Sequence, residues 1–264
     1  MTRQNYYAVR RQRGRQVVAA ERMVELVQRE RQVQPRMGGR KLYRVLKAEL
    51  VAAGVKAGRD RFFEVLRAHE LLLEPVPAEY PCTTNAHHNL PVFTNRVKGM
   101  AVTQANQVWV SDLTYLRTAE GYLYLALITD KWSRKIVGYH CGDTLEAEGC
   151  VQALAAAAAG LPCGARPIHH SDRGSQYCSH LYVGRLEHYQ MGVSMTERDH
   201  CAENALAERM NGILKQEYGL GVRFWRKADA LRAVEQGIWL YNHRRLHTAL
   251  GYRVPAQVHQ FGFN

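Results

Sequence analysis

The 264-residue chain contains no run of 18 apolar residues. Its most apolar stretches, residues 151–160 and 123–129, are too short to cross a bilayer. No apolar segment follows the N-terminal arginines, so the start does not read as a signal peptide. None of the six cysteines stands in a C-x-x-C pair. At this length and spacing a disulfide scaffold is disfavoured, and reduced thiols fit better. Cys82 with His87 and His88 offers half of a zinc site, and no second half supplies the other ligands. There is no internal repeat, and the alanine run at 155–159 is explained by a helix. These absences lead us to expect a soluble, cytoplasmic protein with no membrane partner.

What is present is positive charge. Lys and Arg number 36 against 24 Asp and Glu, a formal net charge of +12. Residues 1–100 carry 19 basic and 9 acidic side chains, so most of the excess lies in the front of the chain. Such a distribution suits a polyanion, most simply nucleic acid, although a solvated basic face gives the same count. The first 40 residues hold ten arginines and no lysine.

Apolar spacing predicts helices at residues 16–32, 40–53 and 60–72. Pro35 and Gly38-Gly39 break the first, and Gly54 is placed to end the second as a left-handed cap. The last two helices, joined by a Gly-containing turn and carrying Arg40 and Arg44, resemble a helix-turn-helix that reads DNA; a plain helical hairpin explains them as well. We therefore delimit a basic helical region at 1–73. A linker follows at 74–100, where Pro75, Pro77, Pro81 and Pro91 block helix and central strand alike.

Beyond the linker the pattern becomes α/β. Residues 108–116, 121–129 and 135–141 are strand-like, and their tight connections predict an antiparallel meander. A helix at 145–159, a strand at 167–171, a helix at 176–190, a strand at 193–195 and a helix at 204–218 complete a mixed sheet flanked by helices. We assign 101–221 to this core and 222–264 to a C-terminal helical extension.

Three carboxylates stand out. Asp112 interrupts an otherwise uncharged strand, where burial is costly unless a cation or hydrogen bonds compensate it. Asp172 ends a short strand, where open α/β sheets place their sites; capping the next helix is the plainer role. Glu208 shares a polar helical stripe with Asn204, Asn211 and Lys215, which a surface helix also produces. Together, two aspartates and a glutamate can hold two divalent cations, Mg2+ with Mn2+ as substitute, for in-line phosphoryl displacement.

With these residues in view, the sequence resembles bacterial insertion-sequence transposases of the class encoded by the second of two overlapping frames. Their core is similar to retroviral integrases and has a ribonuclease H-like fold. The resemblance covers residues 40–260. It rests on Asn106-Gln107-Val108-Trp109-Val110-Ser111-Asp112-Leu113-Thr114-Tyr115, on His170-Ser171-Asp172-Arg173-Gly174-Ser175-Gln176-Tyr177 and on Ser194-Met195-Thr196. Asn204-Ala205 then leads to Glu208, with 35 residues between Asp172 and Glu208, and Lys215 follows seven residues on. Tyr241-Asn242-His243-Arg244-Arg245-Leu246-His247, and Gly251-Tyr252 before Pro255, close the series. The resemblance implies Asp112, Asp172 and Glu208 as the catalytic, metal-binding triad and Lys215 as a contact to DNA near the cleaved end. It implies metal-dependent cleavage of element ends followed by strand transfer. It also implies work as a homo-oligomer on DNA, and fusion or partnership with an upstream-frame DNA-binding protein. Glu203 departs from the pattern, since many members have aspartate there; it lies off the Glu208 face.

Further DNA contacts are expected from Arg173 beside Asp172, and from Asn204 and Asn211 on the Glu208 stripe. In the basic, aromatic tail, Tyr241, Asn242, Arg244, Arg245 and His247 can touch phosphates or pack on the core. His169 and His170 read as positioning or packing groups, being poor ligands for a hard cation. Asp130 is expected to shape a hairpin turn. Two other functions remain open at this point: a nuclease of the same fold that only hydrolyses, and a non-catalytic DNA-binding regulator.

Overall fold

A computed structural model describes residues 3–74, 90–197 and 203–262. Cys82, His87, His88 and most of the expected linker lie outside the described residues. The chain divides into two compact units, Met1–Pro77 and Ala78–Asn264.

The first unit is helical, with α1 at Arg3–Val33, α2 at Gly39–Ala52 and α3 at Arg59–Ala68. Its own core joins Met23, Leu26 and Val27 of α1 to Leu42, Leu46 and Leu50 of α2 and to Phe62, Val65 and Leu66 of α3. Helix α1 starts well before the expected residue 16. Its first turns are rich in Arg and Gln, good helix formers with no apolar stripe for periodicity to detect. Gly54 takes the left-handed backbone at φ 73°, and Val55 N–H closes back on Leu50 O at 2.9 Å, so α2 stops as its sequence predicts. Helix α3 ends earlier than expected because Glu70, at φ 55°, makes the same closure through Leu71 N–H to Leu66 O. Arg40 and Arg44 lie exposed on α2.

The second unit is a six-stranded mixed sheet in the order β3-β2-β1-β4-β5. The strands are β1 (Val108–Thr118), β2 (Gly121–Asp130), β3 (Ile136–Gly142), β4 (Ile168–Ser171) and β5 (Gly192–Met195). The first three form the expected antiparallel meander. Strand β4 runs parallel to the start of β1, pairing Val108 with Ile168 and Val110 with His170. The two-residue β6 (Arg223–Phe224) pairs with the far end of β1 at Arg117 and Thr118.

Alternation along β1 assigns its faces. Leu116 with Leu123, Leu125 and Leu127 of β2 packs under α7 (Ala205–Glu217) and α8 (Lys227–His243). Trp109 with Ala126 and Ile128 packs under α4 (Ala147–Ala159), α5 (Ser175–Cys178) and α6 (His180–His188). The expected helix at 176–190 is thus two helices: Ser179 is extended, and its Oγ accepts from Tyr182 N–H at 3.2 Å as the cap of α6. Helix α4 lies close on β3 because Gly138 has no side chain; a Cβ there would sit 2.4 Å from Ala153 O.

Two features fix segments outside the sheet and its covering helices. Residues 95–98, expected in the linker, dock on the core: Arg96 N–H donates to Ser194 Oγ at 2.9 Å and Val97 is buried. The C-terminal segment clasps the turn between β2 and β3. Asn242 bonds both N–H and C=O of Ile136 at 2.9 Å, and Tyr241 OH donates to Arg134 O at 2.7 Å. From α9 (Pro255–Phe261), His259 Nδ1 meets Ser133 Oγ at 2.9 Å.

Candidate active site

The site grows from the register of β1 and β4. Val108 and Val110 stand opposite Ile168 and His170, so alternation carries Asp112 and Asp172 to the same face, just past the last β4 pairing. The Asp112 carboxylate is fixed by two donors, Leu113 N–H at 2.9 Å and Asn211 Nδ2 at 2.8 Å. Asp172 does not cap α5. It accepts from Gly174 N–H at 3.0 Å and closes its own turn, and a side chain at Gly174 would crowd that carboxylate at 3.1 Å.

Helix α7 brings the third acid. Asn204, at its start, donates to Ser111 O at 2.9 Å and pins the helix to β1 next to Asp112. His170 secures the chain just before it, with Nδ1 on Ser194 Oγ at 2.9 Å and Nε2 on Glu203 O at 3.2 Å. Glu208 is one turn beyond Asn204 and exposed, on the face that also carries Asn211.

Electrostatics ties the three acids together. The Asp112 carboxyl is pushed up to about 7, first by burial and then by the negative charge of Asp172, with Glu208 adding to it; the bonds from Asn211 and Leu113 oppose the rise. Among the described residues, no three His, Cys, Asp or Glu side chains converge as a finished coordination shell. The donor chemistry nevertheless suits a hard cation. The acids supply only oxygen, and the buried Asn204 Oδ1 and Asn211 Oδ1 have no hydrogen-bond partner.

Lys215 reaches past the edge of β1, its Nζ 4.8 Å from the centre of the Tyr115 ring. Burial lowers its pKa, while Asp112 raises it and Arg117 lowers it further. Glu203 is spent elsewhere, accepting from Glu197 N–H, which holds its carboxyl below the usual range. Beneath the site His169 is fully buried, its Nε2 2.6 Å from Ser111 Oγ and 2.8 Å from Tyr182 OH; burial drives its pKa down to about 3, so it is neutral.

Several expected DNA contacts are placed otherwise. Asn204 and Asn211 are buried and hold the site together from inside. Arg173 donates through Nε to Thr196 O at 2.6 Å. In the tail, Tyr241, Asn242, Arg245 and His247 are all buried. Arg245 makes a two-pronged pair with Glu217 at 2.8 and 2.6 Å and lies 2.8 Å from His247 Nε2. A basic and aromatic tail therefore serves packing here; Arg244 alone of the five is exposed. Asn211 as the Asp112 donor and Asn204 as the helix pin were visible only as a polar stripe.

Two profiles described as "Integrase core domain" match residues 102–201 and 189–255. The chain is 39% identical over 215 residues to the Shigella sonnei "Insertion element IS600 uncharacterized 31 kDa protein", covering 81% of this chain and 79% of that one. It belongs to the insertion-sequence transposases with an integrase core. To another relative, "Transposase InsF for insertion sequence IS3A" of Escherichia coli (strain K12), the transposase is 35% identical over 172 residues, which span 64% of this chain and 60% of that protein. The fold is shared with a chain of the simian T-cell lymphotropic virus intasome, at a TM-score of 0.52 and 19% identity over 84% of this chain and 74% of that one. The ribonuclease H-like expectation is thereby met. No helix among the described residues is long and apolar enough to cross a membrane.

Proposed function

We propose that this transposase cuts DNA at the ends of its element and joins them to a target, with Asp112, Asp172 and Glu208 as the catalytic acids. The observation that carries the reading is Asp112, half-buried in a central strand and raised first by desolvation and then by the charges of Asp172, at the end of β4, and Glu208, on α7. Acids so arranged repel one another unless cations sit among them. We propose two Mg2+ ions, with Mn2+ able to replace them, held by these three side chains. When bound, they activate the attacking oxygen and stabilise the leaving one.

In the first step a water oxygen attacks the phosphorus at the element's end. The 3′ oxygen leaves and takes up a proton, giving a 3′-hydroxyl and a 5′-phosphate. In the second, that 3′-hydroxyl oxygen attacks a target phosphorus and the target's 3′ oxygen leaves. This chain's own residues orient the acids: Asn211 and Leu113 N–H hold Asp112, Gly174 N–H holds Asp172, and Asn204 sets the height of α7. Lys215, at the site's rim, is the phosphate contact. The first unit, with its exposed Arg40 and Arg44, adds DNA affinity as a helix-turn-helix. The protein acts as a homo-oligomer on DNA and partners an upstream-frame DNA-binding protein.

The test is cleavage and joining of native element ends with Mg2+. Alanine at Asp112, Asp172 or Glu208 should abolish cleavage and leave DNA binding largely intact, since a lost ligand removes transition-state stabilisation and not basic surface. Glu203→Ala should be milder. An inactive Glu203→Ala beside an active Glu208→Ala overturns the assignment of the third acid. Cleavage without joining of pre-cut ends identifies a hydrolytic nuclease, and binding without either identifies a regulator.

A further inference from the structure

Strand β1 is covered on both faces only along its first half. On the face of Trp109 and Ser111, cover by α4, α5 and α6 thins at Leu113 and is gone at Arg117, which is exposed. The opposite face stays sealed, with Leu116 and Leu123 buried under α7 and α8. The hairpin end of β1 and β2, together with β6, therefore offers a one-sided open sheet face.

Its side chains are aromatic and basic. Register places Arg223 of β6, Arg117 of β1 and Tyr122 of β2 in one row across three strands, and all three are exposed. The next row pairs Tyr115 with Tyr124. The rings of Tyr115 and Tyr122 meet edge to face at 5.5 Å and 84°, and Tyr122 keeps 54% of its surface in solvent. Lys215 Nζ lies over Tyr115, between Asp112 and Arg117, so the patch begins at the rim of the carboxylate site. Nearby acids are engaged: Glu120 accepts from Lys227 N–H at 2.7 Å and Asp143 pairs with Lys227 Nζ.

We propose that this hairpin face is a platform for a DNA strand with unpaired bases, running from the carboxylate site across β1 and β6. Tyr122, its ring packed against Tyr115, stacks on a base, while Lys215, Arg117 and Arg223 meet phosphates. Aromatic faces reward only bases whose own faces are open, and a duplex hides these by stacking; an unpaired strand presents them. A second copy of this chain is a poor occupant, because a two-fold contact would set these cations against themselves. The inference rests on the reading of the adjoining site as one that processes DNA.

The experiment uses the full chain without Mg2+ and fluorescence anisotropy with a labelled oligonucleotide duplex, either blunt or with a forked, unpaired end. The fork should bind more tightly. Tyr122→Ala should lose about 10-fold on the fork, within the range for one stacked base, and stay near wild type on the blunt duplex. Tyr122→Phe should keep the preference, because the ring remains. Arg223→Ala should weaken both ligands and flatten the salt dependence. The proposal is overturned by equal affinity of the wild type for the two ends, by an equal loss on both in Tyr122→Ala, or by a phenylalanine variant as weak as the alanine one. It is also overturned by a change in oligomer mass with DNA binding intact. Fork binding through Tyr122 in a chain that cuts nothing refutes the catalytic reading alone; normal cutting with no Tyr122 effect refutes the platform alone.

Discussion

Asp112→Asn separates charge from shape at the centre of the site. Holding this carboxyl near 7 instead of its ordinary 3.8 costs the folded, metal-free protein about 4 kcal/mol at pH well above 7. The sign is that of a raised carboxyl: its contribution is fully favourable below the unfolded value near 3.8 and is lost as pH climbs through about 7. The substitution removes the charge and keeps the volume. The new amide oxygen still accepts from Leu113 N–H. The new amide nitrogen faces Asn211, whose side chain can rotate by 180° to present Oδ1, an atom with no partner at present. The variant should thus be more stable than wild type at pH 8 in EDTA, by roughly 8–16 °C in Tm, since 1 kcal/mol is roughly 2–4 °C for a domain of this size. At pH 5 the folded carboxyl is neutral but the unfolded one is still ionised, so about 2 kcal/mol of the difference should remain, and it should vanish only below about pH 4. Added Mg2+ should raise the Tm of wild type at pH 8 and leave the variant unmoved. Thermal melts at the two pH values, with EDTA or Mg2+, read all of this. An equal Tm difference at pH 5 and pH 8, or a variant less stable at both, would refute the argument that Asp112 carries an unfavourable charge.

Arg245→Ala should destabilise the protein by about 3–5 kcal/mol in denaturant titration, because Glu217 is left charged and without its two-pronged partner. The salt dependence of DNA binding should not change, and a change would return Arg245 to the DNA-contacting residues. Asp130→Ala strands the donors of Asn106 and Ser133. Burial works to raise this carboxyl, and bonds from His259, Ser133 and Asn106 outweigh it, so its contribution is present above the unfolded value and lost in acid. The loss on substitution should be a few kcal/mol at pH 7 and shrink toward pH 3; a pH-independent loss would point to packing instead. Removal of residues 3–74 deletes a unit with its own core and much of the basic excess. The remaining chain should bind DNA more weakly, with a shallower salt slope, and equal slopes would show that the first unit makes few phosphate contacts.

The legible parts of the molecule were those where one local pattern has one structural meaning. Tight turns between β-rich runs gave the meander, and Asp112 was conspicuous because nothing else from Val108 to Leu116 is charged. The stripe of Asn204, Glu208, Asn211 and Lys215 was found, but a stripe states direction and not distance from the sheet. Whether an asparagine on it meets DNA, or meets Ser111 and Asp112, depends on how closely α7 lies on β1. The same limit governs Tyr241 to His247. Aromatic and basic residues suit a phosphate backbone and a buried clasp equally, and only Glu217 and the β2–β3 turn, far away in sequence, decide for the clasp. The first turns of α1 were missed because helix propensity without burial leaves no period. The open face around Tyr122 was not legible either, since where a sheet's cover ends is a property of the assembled layers.

The clasp also sets a timetable for the protein's synthesis. The turn between β2 and β3 is held by Tyr241, Asn242 and His259, more than 100 residues farther along the chain. The acids at 112, 172 and 208 emerge well apart in time, on elements that meet only across the finished sheet. A partly made chain that has not yet reached α7 lacks Glu208 and the Asn204 and Asn211 bonds that join that helix to β1, so the three acids gather only once α7 has been made.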